Sequence, residues 1–177
     1  MNKNIAKLFK KVRLLVLDVD GVLTGGEIIY DTLGRESKSF NVKDGLGIFL
    51  LGKAGIKTVL LSARNSAILK KRADDMRVVE VIGGLLPKEK ALNYLKTKYR
   101  LKADQICFVG DDLIDLGMIK AVGLGIAVSD SSSDVRKAAD YVTVKKGGQG
   151  AVREVIDLII QHQGLKKQIY AFLKNFK

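Results

Sequence analysis

The chain has 177 residues and is 47% hydrophobic, enough for a sizeable core, yet no apolar run is long enough to cross a bilayer. Its 31 Lys and Arg against 19 Asp and Glu leave a net charge of +12, which points to an anionic partner: nucleic acid, a membrane surface or a small anionic substrate. The basic residues are spread along the chain, with neither zinc-finger spacing nor an RNA-binding aromatic signature. The reading is therefore no nucleic acid, no membrane span, and a solvated basic surface that attracts a small anion.

The N-terminal stretch "MNKNIAKLFKKVR" is basic, but no signal-peptide apolar core with a cleavage site follows it. A cytoplasmic location is expected. Next comes "RLLVLDV", an apolar run that ends abruptly in Asp18 and Asp20. Further β-branched or apolar runs follow at "IKTVLLS", "VVEVI", "QICFVG", "GLGIAVS" and "DYVTV". Helix-like stretches separate them: "DGLGIFLLGKAG", "NSAILKKRADDM", "PKEKALNYLKTKYR", "DDLIDLGMIKAV", "SSSDVRKAA" and "GAVREVIDLIIQHQ". This order predicts an α/β fold, a Rossmann-like and mainly parallel sheet with helices on both faces, formed by one domain over residues 1–177. Continuous apolar strands are what burial on both faces demands. Pro87 suits the first turn of the helix after it.

One segment breaks the alternation. "GEIIYDTLGRESKSFNV" stands where a helix is expected, and Gly34 suits a turn between two strand-like arms. Residues 27–42 are read as a β-hairpin projecting from the carboxyl edge of the sheet. The lone Cys107 lies in an apolar run and reads as a buried small hydrophobe. His162, near the end of the last long helix, reads as a surface or helix-end residue. In the tail, residues 165–177, a helical face carries Ile169, Phe172, Leu173 and Phe176, suited to packing on its own or a neighbouring subunit.

In open α/β sheets ligands bind beyond the carboxyl ends of the strands. Asp18, Asp20, Ser62, Asp111 and Asp112 all end strands, and Lys88 opens a helix at the same rim. Singly, such an Asp also suits a turn or a helix cap, Ser62 the start of the helix near Asn65, and Lys88 plain solvent. Together, clustered carboxylates need a compensating cation. A hard divalent ion such as Mg2+ takes oxygen ligands, and Asp18 and Asp111 suit it. A phosphate at that ion would also meet Lys88, Ser62 and the amides after Asp18.

These motifs carry a family resemblance. "DVDGVLT", "LLSAR", Lys88 and "GDDLID" resemble the four motifs of the haloacid dehalogenase superfamily of phosphatases. With "FNVKDGLGI" and "GGQGAVREV", they are similar to the subfamily acting on 3-deoxy-D-manno-octulosonate 8-phosphate (Kdo 8-phosphate). The resemblance implies Asp18 as nucleophile and Asp20 as general acid and base. It implies Mg2+ held by Asp18, the carbonyl of Asp20 and Asp111, with Asp112 and Asp115 supporting through water or through the ligands. Ser62 and Lys88 would bind the phosphate, and Lys43, Arg64 and Gln149 the sugar.

At Lys43 and Gln149 the resemblance leads one to expect arginine, whose planar fork grips a carboxylate in two places. Another nonulosonate 9-phosphate or a broader sugar phosphate therefore stays open as substrate, and a phosphatase-like binding scaffold as the non-enzymatic alternative. No cap domain is inserted, so the resemblance implies an open site closed by a homotetramer. Its hairpins would pack together, and residues 147–150 or the tail would approach a neighbour's site.

Overall fold

The computed structural model describes residues 3–175. Six parallel strands form one sheet in the order β5 (Glu80–Ile82), β4 (Lys57–Leu61), β1 (Leu14–Leu17), β6 (Ile106–Gly110), β7 (Leu124–Ala127) and β8 (Tyr141–Val142). β1 sits in the middle with every residue buried. Its alternate side chains serve both faces. Leu15 and Leu17 join a core under α1 (Lys3–Lys11), α2 (Val42–Lys53), α3 (Ala67–Asp75), α7 (Ala151–Gln163) and α8 (Lys166–Lys174). Leu14 and Val16 join the opposite core under α4 (Ala91–Tyr99), α5 (Leu116–Ala121) and α6 (Ser133–Ala138). This two-sided burial is why the strands read as unbroken apolar runs. The free thiol of Cys107 is buried among them, and desolvation raises its pKa well above that of an exposed thiol.

Register decides what reaches the rim. Leu17 pairs with Leu60 on one side and Val109 on the other. Asp18 thus stands level with Leu61 and Gly110, and Ser62 and Asp111 each follow one residue later.

The first helix is an addition to the sequence reading. Its basic composition hides Ile5 and Phe9, one helical turn apart, and Val12 just beyond; all three are buried. Phe9 stacks on His162 with ring centroids 5.6 Å apart, and Gln163 donates to the carbonyls of Phe9 and Val12, each at 2.9 Å. His162 therefore has a helix-end packing position. In the tail, Ile169 is buried, Phe172 meets Phe49 with centroids 5.9 Å apart, and the Lys53 ammonium lies 5.3 Å from both rings. The tail helix packs on its own chain. Leu173 stays exposed, and Phe176 lies outside the described residues.

The hairpin is shorter than the sequence suggests. Only β2 (Ile29–Tyr30) and β3 (Glu36–Ser37) pair, antiparallel. Asp31 closes the turn by accepting from the amides of Leu33 at 2.9 Å and Arg35 at 2.8 Å. Val42 already belongs to α2, because Asn41 caps that helix by accepting from the Lys43 amide at 2.8 Å. Pro87 likewise stands just before a 3-10 turn, Lys88–Lys90, that leads into α4, rather than inside a first α-helical turn.

Candidate active site

Lys88 is fully buried, and its ammonium lies 2.5 Å from Asp18 Oδ1 and 2.6 Å from Asp115 Oδ1. Asp115 is fully buried as well; its second oxygen accepts from the amides of Asp111 at 2.9 Å and Asp112 at 3.3 Å. One lysine thus joins the end of β1 to the turn after β6. Burial would lower the Lys88 pKa, but the two carboxylates outweigh it and hold the cation above its ordinary value.

The negative side is less balanced. Burial pushes Asp18 up to about 6; Lys88 opposes this and the Asp115 charge adds to it. Burial, with Asp18 next to it, pushes Asp111 up to about 8. Oxygens of Asp18, Asp111 and Asp115 lie within 4.8 Å of one another. Three carboxylates facing one lysine leave uncompensated negative charge around an oxygen-only donor set, which fits a hard divalent cation. Gly21 lets the loop after β1 close on this cluster. Its φ is +89°, and a Cβ there would overlap the Asp111 carboxylate.

The Asp20 carboxylate stands apart from that cluster. It is paired with Lys38, which follows β3 and whose side chain is only 2% exposed. Lys38 also lies 3.5 Å from Glu36. Glu36 in turn accepts from Arg64 at 3.1 Å and from Ser66 at 3.2 Å, so the hairpin is fastened to the loop between β4 and α3. The sequence does not point to Lys38 or Glu36, because a lysine and a glutamate in a polar hairpin carry no local sign of burial.

The remaining residues are scattered. Ser62 is buried at the end of β4 and accepts from the Arg64 amide at 3.0 Å. The Asp112 carboxylate is exposed and caps its own turn, accepting from the Leu113 amide at 2.7 Å, so it does not join the acidic cluster. Lys43 and Gln149 are both exposed. Between them, the buried Asp44 accepts from the Arg153 amide at 2.7 Å and ties α2 to the start of α7.

The glycine-rich segment 147–150 is tied to the loop of its own chain. The Gly148 amide donates to the Val22 carbonyl at 2.9 Å and the Gly147 amide to Asp130 at 3.0 Å. A Cβ at Gly147 would run into the Gly21 carbonyl. Glycine is needed here for close approach to the loop of its own chain.

Residues 56–156 match the family model of haloacid dehalogenase-like hydrolases. The 3-deoxy-D-manno-octulosonate 8-phosphate phosphatase of Haemophilus influenzae is 40% identical over 172 residues, covering 95% of this chain and 95% of that protein. The crystal structure of the phosphatase of that name from Moraxella catarrhalis, in complex with magnesium ion, phosphate ion and a KDO molecule, matches with a TM-score of 0.93 at 37% identity, covering all of both chains. The cobalt-bound form of the Haemophilus influenzae phosphatase matches with a TM-score of 0.87 at 39% identity, over 94% of this chain and 99% of that one.

Proposed function

The chain belongs to the haloacid dehalogenase-like hydrolases, and on that premise we propose that it is a Mg2+-dependent phosphatase converting Kdo 8-phosphate to Kdo and phosphate. The observation that carries the reading is the group of buried Asp18, half-buried Asp111 and buried Asp115 beside Lys88 at the end of the central strand, which supports a site for a cation and a phosphate.

In this reading an oxygen of Asp18 attacks phosphorus. The bond from phosphorus to the sugar oxygen breaks, and Asp20 gives its proton to that oxygen. Asp20 then takes a proton from water as the water attacks the aspartyl-phosphate, and Asp18 leaves as carboxylate. Asp18, Asp111 and the backbone carbonyl of Asp20 would hold Mg2+, with Asp115 close by, and the ion would supply positive charge for the phosphoryl oxygens. Lys88 and Ser62 bind and orient those oxygens, so Lys88 shares its charge between phosphate and the two aspartates. Arg64, partly exposed beside the hairpin, meets the sugar acid.

A second substrate reading is favoured by one observation. Lys43 and Gln149, where the sequence resemblance led us to expect arginine, offer one exposed point charge and a neutral amide. That leaves a nonulosonate 9-phosphate as the alternative. Phosphate release from Kdo 8-phosphate, nonulosonate 9-phosphates and neutral sugar phosphates, with Mg2+ and with chelator, separates the two. Preference for Kdo 8-phosphate supports the first reading, and inactivity on the whole panel removes the enzyme assignment.

Assembly belongs to the same proposal. Ile28, Ile29, Tyr30 and Leu33 leave an apolar hairpin surface exposed, the sort of edge that another copy covers, and we take the enzyme to be a cytoplasmic homotetramer. Sedimentation at assay concentration tests this, and a monomer would refute it.

A further inference from the structure

Lys38 is unusual for its position. An ammonium group is strongly hydrated, and burying one is costly unless charged partners replace the water. Here the hairpin brings a lysine side chain from solvent to 2% exposure and sets it between Asp20 and Glu36. Glu36 cannot swing away freely, because Arg64 holds one of its oxygens and Ser66 the other. The lysine is therefore delivered to Asp20 from a fixed direction.

Asp20 needs such help. It follows the buried strand by three residues, its side chain is 30% exposed, and it lies outside the carboxylate group that Lys88 organises. An aspartate side chain at a loop position has several rotamers open to it. An acid that must reach a leaving oxygen within hydrogen-bond distance loses rate in all but one of them.

We propose that Lys38 is the positioning residue for Asp20: it touches neither phosphorus nor the leaving oxygen, but fixes the carboxyl group that delivers the proton. The proposal rests on the acid role given to Asp20 above. It makes the hairpin part of the chemistry as well as of any assembly, since Lys38 reaches Asp20 only when β3 is docked through Glu36.

The leaving group provides the test. A sugar alkoxide needs a proton to depart, whereas p-nitrophenolate departs without one. kcat/KM covers the steps up to loss of the leaving group, so it isolates the acid step from later water attack. Lys38→Met should lower kcat/KM for Kdo 8-phosphate by about ten- to a hundredfold, and for p-nitrophenyl phosphate by less than about threefold. Lys38→Arg, which keeps the cation, should recover part of the loss. A role in folding alone would depress both substrates together, and that result would overturn the proposal, as would no change in either.

Asp20→Asn is the control. If it shows the leaving-group bias and Lys38→Met does not, positioning is refuted while the acid role stands. If Asp20→Asn shows no bias, the acid role fails and the proposal falls with it. Should Kdo 8-phosphate not be a substrate, any alkyl phosphate the enzyme accepts gives the same ratio, so the substrate assignment and the role of Lys38 fail separately. Should Lys38→Met not fold, Lys38→Gln replaces it. If that also unfolds, Lys38 serves the fold and the proposal is overturned.

Discussion

Asp18 and Asp20 are two residues apart, yet they belong to different regions. Asp18 ends the central strand and is held by Lys88, a residue fully buried in the body of the fold. Asp20 is held by Lys38, delivered by a two-residue-per-arm hairpin whose outer face is exposed. In the proposed mechanism, the side that would bind metal and phosphate is built on strands packed on both faces. The side that would manage protons and meet the sugar rests on a small outlying element. Positioning from rigid strands suits a group proposed to attack in every turnover, and a peripheral element suits a part that would differ from one substrate to another.

Substitutions sharpen this contrast. The largest effect is expected from Asp18→Asn, which removes the proposed nucleophile and preserves shape. Turnover should fall by about 10^4- to 10^6-fold, with a melting temperature no lower than that of the unmodified protein. Asp20→Asn should cost about 10^2- to 10^4-fold in turnover with a sugar phosphate, again with the fold intact.

Lys88→Met tests the buried side through stability. It strands Asp18 and Asp115 without their cation, and denaturant titration should show a loss of about 3–5 kcal/mol. A change below about 1 kcal/mol would mean that Lys88 does not organise the cluster.

The same buried side should respond to pH. Asp18 and Asp111 are both raised in the folded state, from an ordinary 3.8 to about 6 and about 8. The folded chain then binds more protons than the unfolded one across that window, so the metal-free protein should lose stability as pH rises from 3.8 through about 8. Mg2+ competes with those protons, so it should bind more tightly and stabilise more at about pH 9 than at about pH 5. Thermal melts with chelator and with Mg2+ check both signs.

On the hairpin side the smallest effect is expected. Ile29→Asp changes an exposed residue, so folding stability should move by only about 0.5 kcal/mol, while sedimentation should show smaller assemblies and KM should rise.

The two regions also differ in how far they can be read from sequence. An apolar run that stops at Asp18, or at Asp111 after "CFVG", announces both the strand and the rim position of the residue beyond it, because burial on two faces leaves no other place for the charge. Lys38 gives no such sign, since its burial depends on the hairpin folding back onto Asp20. Helix α1 was hidden because lysines outnumber Ile5, Leu8 and Phe9 around it. Nor does the sequence show that Gly147 and Gly148 serve a backbone packed too closely against Gly21 and Gly25 for side chains.

The central claim is that a carboxylate of Asp18 carries the phosphoryl group between sugar and water. Rapid acid quench of the enzyme with Mg2+ and Kdo 8-phosphate carrying a radiolabelled phosphoryl group tests it most directly. Label is expected on the protein within the first turnover, lost with hydroxylamine as an acyl phosphate is, and absent from Asp18→Asn. Steady release of phosphate by the unmodified enzyme with no labelled protein at any quench time, together with comparable turnover by Asp18→Asn, would contradict it.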